Sequence, residues 1–419
     1  MTKLSKYSLG IGDRFGRQGE AQLAALQEAR ALGIDITPVW NKSFREHRII
    51  GSTPTDSRRA ADAAVAAAGW QEAYFVDADH IGLQTVDGFL DACDYFTLDV
   101  AAMIGQAAAA TDQQRAWQEF RRFCGSLAMP GLLSPLPVTE ADLQSAIAGY
   151  LAAVQEAGRI YRRIAQQRAD RPTVIEVSMD ETARPQSPAE LFFILAMLDR
   201  EGVPVQTIAP RFSGAFHKGV DYIGDVDLFG REFAQHLAAV QAAIKTFDLR
   251  ADLKLSLHSG SDKFAIYGCI STALQESGAG LHVKTAGTTW LEEIIGLAQA
   301  GGEGLDLAKE IACRALLRQT ELCAPYSEVI DIDPRQLPTV REVRQWDSEA
   351  FVAHTSHRQQ EPCYNPMFRQ LLHVAYGVAA EMGETFYQAL DDHRTTIAAG
   401  VQQNLFEHHV RPLFLRANV

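Results

Sequence analysis

The sequence has few cysteines, and none has the spacing of a disulfide or zinc scaffold. Six cysteines are spread over 419 residues, without a CxxC pair or a Cys-His spacing of the zinc-ribbon kind. This excludes a disulfide framework and a structural zinc module, and it predicts reduced, buried thiols.

Basic residues number 39 against 52 acidic ones, a formal net charge of −13. The deficit of positive charge argues against partners such as nucleic acid or an anionic membrane.

Long apolar runs and nucleotide-binding loops are also missing. No segment is apolar over the length that spans a bilayer, and the first residues show no apolar signal stretch, so we expect a cytoplasmic protein. The chain has no GxxxxGK[ST] motif, and the glycines between residues 10 and 19 lack the GxGxxG spacing. A bound nicotinamide or nucleotide is therefore disfavoured. A hydrophobic content of 47% is enough for a large core, and small molecules are the expected partners.

Eight short β-like runs alternate with amphipathic helical stretches, which is typical of βα units and a parallel sheet. In the later runs aliphatic residues alternate with polar ones, as at Leu255, Ser256, Leu257 and His258. Strands of an open sheet are apolar on both faces, whereas barrel strands turn one face inward. The sequence therefore predicts a (β/α)8 TIM-type barrel. Its strands are Tyr7–Asp13, Ile36–Lys42, Ala73–His80, Tyr95–Val100, Thr173–Ser178, Val205–Arg211, Leu253–His258 and Leu281–Thr285.

Two helical regions fall outside this alternation. A helical insertion follows the fourth strand over Met103–Gln167 and is broken around Pro130–Pro137. The chain beyond Gly302 shows only helical patterns, including a long one over Pro366–Met382. We predict a catalytic barrel at 1–301, which includes the insertion at 103–167, and a helical C-terminal extension at 302–419 that packs on it.

Three histidines, His80, His258 and His282, lie at or just past the ends of predicted strands. Imidazoles from separate strands can bind a divalent cation at the mouth of a barrel and leave coordination positions open for a substrate oxygen. The pattern predicts metal-assisted catalysis. Zn, Mn, Fe, Co and Ni all suit imidazole ligands, so the identity of the cation is left open.

Acidic and basic residues accompany the histidines. Glu176 lies on an inward face, where an unpaired carboxylate is costly, so we expect a metal ligand, an acid/base group with a raised pKa, or an ion pair with Lys254 or Lys284. The strand of Lys284 is also similar to the Schiff-base strand of class I aldolases, which makes an imine an alternative. The residues expected to contact a substrate are Asn41, Lys42, Asp99, Arg211 and Lys284.

Five segments of the sequence resemble the tagaturonate epimerase family, over nearly the whole chain. They are Lys6–Gly16, Pro38–Ser43 with Arg45–His47, Tyr74–His80, His258–Phe264 and His282–Thr288. The resemblance implies a metal-dependent C4 epimerase that interconverts tagaturonate and fructuronate, or the related ketohexoses tagatose and fructose. It further implies Asp79 as general base, Glu176 as general acid, and His80, His258 and His282 as metal ligands.

Inversion at C4 restricts the mechanism, because the C4 hydrogen of a 2-ketose is not adjacent to the carbonyl and enolisation cannot remove it. Oxidation at C4 needs a hydride carrier, for which the chain shows no loop. We therefore expect retro-aldol cleavage of the C3–C4 bond and its re-formation after the aldehyde has turned. Lys42, Arg211 or Lys284 would hold a carboxylate or hydroxyls of the substrate.

Two other classes of function stay open. A metal-dependent aldolase or ketose 3-epimerase could use the same metal site on the same barrel. A sugar-binding barrel without catalysis could place the histidines in structural roles. The sequence leaves the oligomeric state, including a homo-oligomer, undecided.

Overall fold

The computed structural model describes residues 4–132, 134–169, 171–258 and 261–415. Eight parallel strands form a closed barrel, in which the last strand pairs with the first. This confirms the predicted (β/α)8 fold, with strand ends that differ from the prediction by one or two residues. The strands are β1 Tyr7–Ile11, β2 Ile36–Ser43, β3 Phe75–Ile81, β4 Tyr95–Asp99, β5 Val174–Met179, β6 Thr207–Pro210, β7 Lys254–Leu257 and β8 Leu281–Ala286.

Helices surround the barrel, and several of them begin at capping residues. The helix after β5 starts at Pro188, with the Ser187 side chain accepting the Glu190 N–H, as the sequence predicts. The second helix after β2 starts at Pro54 behind the Thr53 cap. The helices up to residue 300 are α1 Gly19–Ala31, α2 Phe44–Ile50, α3 Pro54–Ala68, α4 Ala110–Phe120, α5 Glu140–Arg168, α6 Pro188–Arg200, α7 Val226–Thr246, α8 Phe264–Ser277 and α9 Thr289–Ala300.

The insertion between β4 and β5 contains α4 and α5, which confirms its helical character. The break around Pro130–Pro137 also holds a small antiparallel hairpin of Gly125–Leu127 and Leu136–Val138. The sequence analysis missed it because strands of three residues are too short to show an alternating pattern. Leu133 lies outside the described residues.

The extension is helical from Gly302 onward. The predicted single helix over Pro366–Met382 is wrong: it divides at Ala375, whose N–H donates to Leu372 O and so tightens the turn. The break turns Tyr376 toward Tyr326, and their hydroxyls lie 2.7 Å apart. The helices are α10 Gly302–Leu317, α11 Gln319–Cys323, α12 Val340–Gln345, α13 Ser348–Thr355, α14 Pro366–Val374, α15 Tyr376–Glu381, α16 Glu384–Asp392 and α17 Arg394–Gln403, followed by a π-helical segment, Asn404–Leu415.

The extension shares an apolar core with the barrel. Phe386 packs on Phe15 and Trp290, with ring centroids 4.7 and 5.9 Å apart, and Trp290 Nε1 donates to Leu372 O at 2.7 Å.

The division into two domains at residue 301 stays a prediction, and residues 416–419 lie outside the described part. Within the described ranges, no helix has the length and apolarity needed to cross a membrane.

The cysteines carry free thiols, as expected. Their predicted burial holds for Cys93 and Cys313, whereas Cys363 is exposed and the others are half-buried. The expectation failed for the other four because they lie on helix faces or loops that are partly open to solvent.

Lys254 gives a prediction about stability. Its ammonium is buried and donates to Lys6 O at 3.3 Å, and burial lowers its pKa to about 7 although Asp252 opposes the shift. An unfolded lysine has a pKa of about 10.4, so between these values the unfolded chain binds more protons and the free energy of unfolding rises with pH. We expect Lys254→Met to remove this slope, which is about 1.4 kcal/mol per pH unit.

Urea unfolding of the wild type and of Lys254→Met at about pH 7, 8 and 9 checks this expectation. The difference between the two free energies of unfolding is expected to change steadily over the series. A constant difference would contradict the low pKa of Lys254.

Candidate active site

Two irregular strands shape the carboxyl-terminal mouth of the barrel. The pairing register shifts between Ala78 and Ile81 of β3 and again before Ala286 of β8. His80 and Thr285 have left-handed φ values of 52° and 62° at these positions. Such conformations are costly for residues other than glycine and concentrate at functional sites. The bulge in β3 brings the adjacent side chains Asp79 and His80 to the same mouth, with Oδ1 and Nε2 3.7 Å apart.

A buried lysine lies among three carboxylates below this mouth. Lys284 Nζ is 2.8 Å from Asp77 Oδ2, 2.9 Å from Asp79 Oδ1 and 3.1 Å from Glu176 Oε1. Burial opposes the charged amine, but the three carboxylates outweigh it and hold the pKa of Lys284 well above its usual value. Glu176 therefore pairs with Lys284 and not with Lys254. A protonated Lys284 lacks the free electron pair that an imine requires, which disfavours the Schiff-base alternative.

Glu176 is fully buried and surrounded by hydrogen-bond donors. Its oxygens accept from the Tyr95 hydroxyl at 2.9 Å and the Thr97 hydroxyl at 3.2 Å, and Oε1 lies 2.8 Å from His258 Nε2. Burial raises the pKa of Glu176, but Lys284 and His258 outweigh burial and hold the pKa well below the usual value. Glu176 is thus ionised, and it fixes the orientation of the His258 ring.

Among the described residues, His80, Asp180 and His258 form a group that could bind a metal ion. One ligand atom from each lies within 4.8 Å of the others. His258 Nδ1 is 3.1 Å from Asp180 Oδ1, and His80 Nδ1 is buried without a hydrogen-bond partner among the described residues. Two imidazoles and a carboxylate are a suitable donor set for a divalent transition metal, and Glu176 on the far side of His258 is the usual supporting carboxylate.

The electrostatics of this group show how strongly it attracts positive charge. Burial lowers the pKa of His258, but Asp180 and Glu176 outweigh burial and raise the pKa to about 10. In the metal-free protein the His258 proton thus takes the place of a cation between two carboxylates. A metal ion would displace this proton.

His282 does not join this group. It pairs with Ser8 in the register of β1 and β8, one inward layer below Lys284, and its Nδ1 is 2.9 Å from Ser8 Oγ. Its ring packs 5.4 Å from that of Tyr95, and burial lowers its pKa to about 3. His282 is therefore a neutral residue of the barrel interior.

Asp180 is the residue that the sequence analysis missed. It lies just past the end of β5 and continues the inward row of Glu176 and Ser178 by one more step. Extending the even-numbered row beyond the strand would have found it. The Ser178 hydroxyl donates to Asp180 Oδ1 at 2.5 Å and fixes the carboxylate.

The residues predicted to contact a substrate divide into two sets. Asn41 Nδ2 donates to Asp79 Oδ2 at 3.5 Å, and Asp99 Oδ2 lies 3.8 Å from His80 Nδ1. Arg211 Nη1 donates to the backbone oxygen of Asp180 at 3.4 Å. These three residues, with Lys284, line the mouth. Lys42 stands apart, because its Nζ donates to Arg14 O at 2.7 Å in the loop after β1.

A second buried charge cluster joins the extension to the loop that follows His258. Asp262 is fully buried and left-handed, and Arg369 Nη2 donates to its Oδ2 at 2.5 Å. Two histidines of the extension approach the same carboxylate, His357 at 3.1 Å and His409 at 3.2 Å. Arg369 and these histidines hold the pKa of Asp262 well below its usual value against the effect of burial. The extension therefore fixes the loop beside the site; residues 259 and 260 of that loop lie outside the described part.

Comparison with known proteins shows the family of this chain. A family model described as tagaturonate epimerase matches residues 1–411. The chain is 28% identical over 416 residues to the tagaturonate/fructuronate epimerase of Thermotoga maritima. This match covers 96% of this chain and 79% of the relative. Native and glycerol-complexed crystal structures of fructuronate-tagaturonate epimerase from Cohnella laeviribosi match with a TM-score of 0.80 at 26% identity, over 99% of this chain and 82% of theirs.

A more distant likeness shows the fold alone. A probable tagatose 6 phosphate kinase from Sinorhizobium meliloti matches with a TM-score of 0.51 at 12% identity. The family match, in contrast, extends over the barrel, the insertion and most of the extension. The chain belongs to the tagaturonate epimerase family and is an enzyme of the epimerase class.

Proposed function

We propose that this enzyme interconverts tagaturonate and fructuronate by inverting C4, with a divalent cation bound by His80, Asp180 and His258. The observation that carries the proposal is the position of this ligand group beside the Asp79–Lys284 ion pair at one mouth of the barrel. Asp180 takes the place that the sequence analysis gave to His282. We propose the cytoplasm as its location, and the neutral ketoses as poorer substrates.

The cation would supply a Lewis acid that stabilises negative charge on the oxygens of the sugar. Its ligands come from β3, the end of β5 and the end of β7, so they hold three sides of the mouth. Asp79 Oδ1 lies 3.7 Å from His80 Nε2, so the C4 hydroxyl of a sugar held by the cation could contact this carboxylate. Zn, Mn, Fe, Co and Ni all remain compatible with these ligands.

Asp79 is the proposed general base. Burial raises the pKa of Asp79, but Lys284 and His80 outweigh it and bring the pKa to about 2, so the carboxylate is ionised at neutral pH. It takes the proton of the C4 hydroxyl as the C3–C4 bond breaks. The electron pair stays on C3, C4 becomes an aldehyde, and the aldehyde turns before the bond forms again. The proton then returns to the C4 oxygen.

Glu176 has a different proposed role from the general acid that the family resemblance implies. Its surroundings favour the ionised form, which has no proton to donate. Its contact with His258 Nε2 leaves Nδ1 directed toward Asp180. We assign to Glu176 the orientation of His258 and the balance of charge at Lys284.

Incubation of the metal-loaded protein with tagaturonate, fructuronate, tagatose and fructose, followed by analysis of the sugars, tests the function. We expect interconversion of the two sugar acids. Release of three-carbon fragments would indicate an aldolase, and inversion at C3 a 3-epimerase. Unchanged sugars in every incubation would favour a binding protein.

The two histidines His258 and His282 allow a matched test of the metal site. We expect His258→Gln to weaken binding of Zn²⁺ or Mn²⁺ by about 100-fold or more, because a ligand is lost. His282→Gln should bind the metal as the wild type does, since His282 lies in the layer below. Metal content after dialysis, with circular dichroism to confirm folding, gives the answer. Loss of metal in both variants, or only in His282→Gln, would contradict the assignment.

A further inference from the structure

A substrate carboxylate is bound best by a cation that has an N–H donor left for it. Lys284 is surrounded by three carboxylates, and Lys42 donates to a backbone oxygen. Arg211 is bound beside Asp180, at the end of the site where the metal ligands lie. The C6 end of a hexuronate points away from those ligands when C4 lies at Asp79. The mouth also offers other cations for the carboxylate.

Lys218 lies at the tip of the loop between β6 and α7. The loop forms a narrow hairpin closed by pairing of Ala215 with Ile223. The Lys218 N–H donates to Val329 O at 2.8 Å, and Gly219 O accepts from Arg369 Nε at 2.6 Å. The extension thus holds the tip of the hairpin in place.

Charged groups from several strands act on the Lys218 ammonium. They belong to Arg14 after β1, Glu46 after β2, Asp79 in β3 and Glu181 after β5. Val329, which accepts the Lys218 N–H, follows Glu328, and Glu328 lines an opening at the mouth together with Asp99 and Glu181, so Lys218 lies beside this opening. Burial and Arg14 lower the pKa of Lys218, and the three carboxylates offset part of the shift.

The Lys218 ammonium has no hydrogen bond or ion pair with any residue that the structure describes. In the free protein the partner of this ammonium is water, which an anionic ligand can replace. The fold gives it no carboxylate within ion-pair distance, although acidic side chains are abundant nearby. Such a group is typical of a site whose partner is a ligand.

Arg14 is the second cation at this place. Its Nη2 lies 3.2 Å from Glu46 Oε1, and its guanidinium stacks 4.6 Å from the Tyr376 ring. Its Nε is buried and has no hydrogen-bond partner among the described residues. A guanidinium edge with an unused donor suits the planar geometry of a carboxylate.

We propose that Lys218 and Arg14 form the subsite that binds the C6 carboxylate of the hexuronate, and that they make the enzyme prefer sugar acids over neutral ketoses. This inference rests on the proposed function for its substrate. It gives to Lys218 and Arg14 the recognition of the carboxylate that the sequence analysis expected of Lys42, Arg211 or Lys284.

Lys218→Met tests the subsite. We expect kcat/KM for tagaturonate to fall about 10- to 100-fold, mostly through KM, because a charge-assisted hydrogen bond is lost in ground state and transition state alike. Turnover of tagatose should stay within about threefold of the wild type, and Lys218→Arg should recover part of the loss. Lys245→Met, at the exposed end of α7, is the matched control and should change neither rate.

Calorimetric binding of galactonate and galactitol extends the test beyond turnover. We expect Lys218→Met to weaken galactonate binding and to leave galactitol binding unchanged. An equal loss for the acid and the neutral sugar, or no loss for either, would overturn the subsite. Absence of epimerisation by the wild type would instead overturn the proposed function. The loss of galactonate binding in Lys218→Met, compared with the loss of galactitol binding, would still decide the subsite.

Discussion

Asp79→Asn is expected to lower kcat by about two to four orders of magnitude with little change in KM. An amide cannot accept the proton of the C4 hydroxyl, and general bases contribute rate factors of about this size. Asn has nearly the shape of Asp, and its amide oxygen can still accept from Lys284. Steady-state rates with tagaturonate, measured at saturating metal, check the expectation.

Asp77→Asn is the matched control, because Asp77 lies on the same face of β3 one inward step deeper and also contacts Lys284. Burial is the main reason that the pKa of Asp77 is raised to about 7, so an amide resembles the partly protonated side chain. We expect less than a tenfold effect on kcat. Both variants should retain the metal, since neither residue belongs to the ligand group. An Asp79→Asn enzyme with more than a tenth of the wild-type rate would exclude Asp79 as the base.

Lys284→Met is expected to destabilise the protein by about 3–5 kcal/mol and to abolish activity. The substitution leaves Asp77, Asp79 and Glu176 buried together without their cation, and loss of one partner of a buried ion pair has about this cost. Urea unfolding at neutral pH measures the change in the free energy of unfolding. Lys245→Met again provides an exposed lysine for comparison.

A second substitution separates charge from packing. Asp77→Asn in the Lys284→Met background removes one of the unpaired charges and should restore part of the stability. The measured quantity is the coupling free energy, which is the change in the free energy of unfolding of the double variant minus the sum of the changes in the two single variants. Additive effects would show that Lys284 stabilises the barrel through packing and not through its charge.

The barrel and much of the inward row could be predicted because alternation is a local property of each strand. Glu176 and Lys284 occupy inward positions of β5 and β8, as their spacing predicts. Alternation gives the face of a residue but not its depth along the barrel axis. His282 was therefore grouped with His258 although it lies in a lower layer.

Backbone irregularities could not be predicted from the same pattern. His80 reaches the mouth because its left-handed conformation interrupts β3, and nothing in a histidine signals a positive φ. Gly10 shows the corresponding constraint on β1, where an added Cβ would lie 3.1 Å from the Lys284 Cα. Close approach explains this glycine only after the bulge in β8 is known.

Contacts between distant parts of the chain were also beyond a local pattern. Asp262 binds Arg369, His357 and His409 across about a hundred or more residues. The histidines of the extension had no assigned role in the sequence because the residue they contact lies in a barrel loop. The same distance hid Lys218, whose hairpin is held by Val329 of the extension.

Turnover of tagaturonate in D₂O by the metal-loaded enzyme, followed by ¹H NMR, tests the central claim most directly. The account predicts fructuronate that keeps its original hydrogen at C4, because only the C3–C4 bond breaks. It also predicts no turnover after the metal is removed and recovery when the metal returns. Deuterium at C4 of the product would contradict the retro-aldol route, and full turnover without a bound metal would contradict the role of His80, Asp180 and His258.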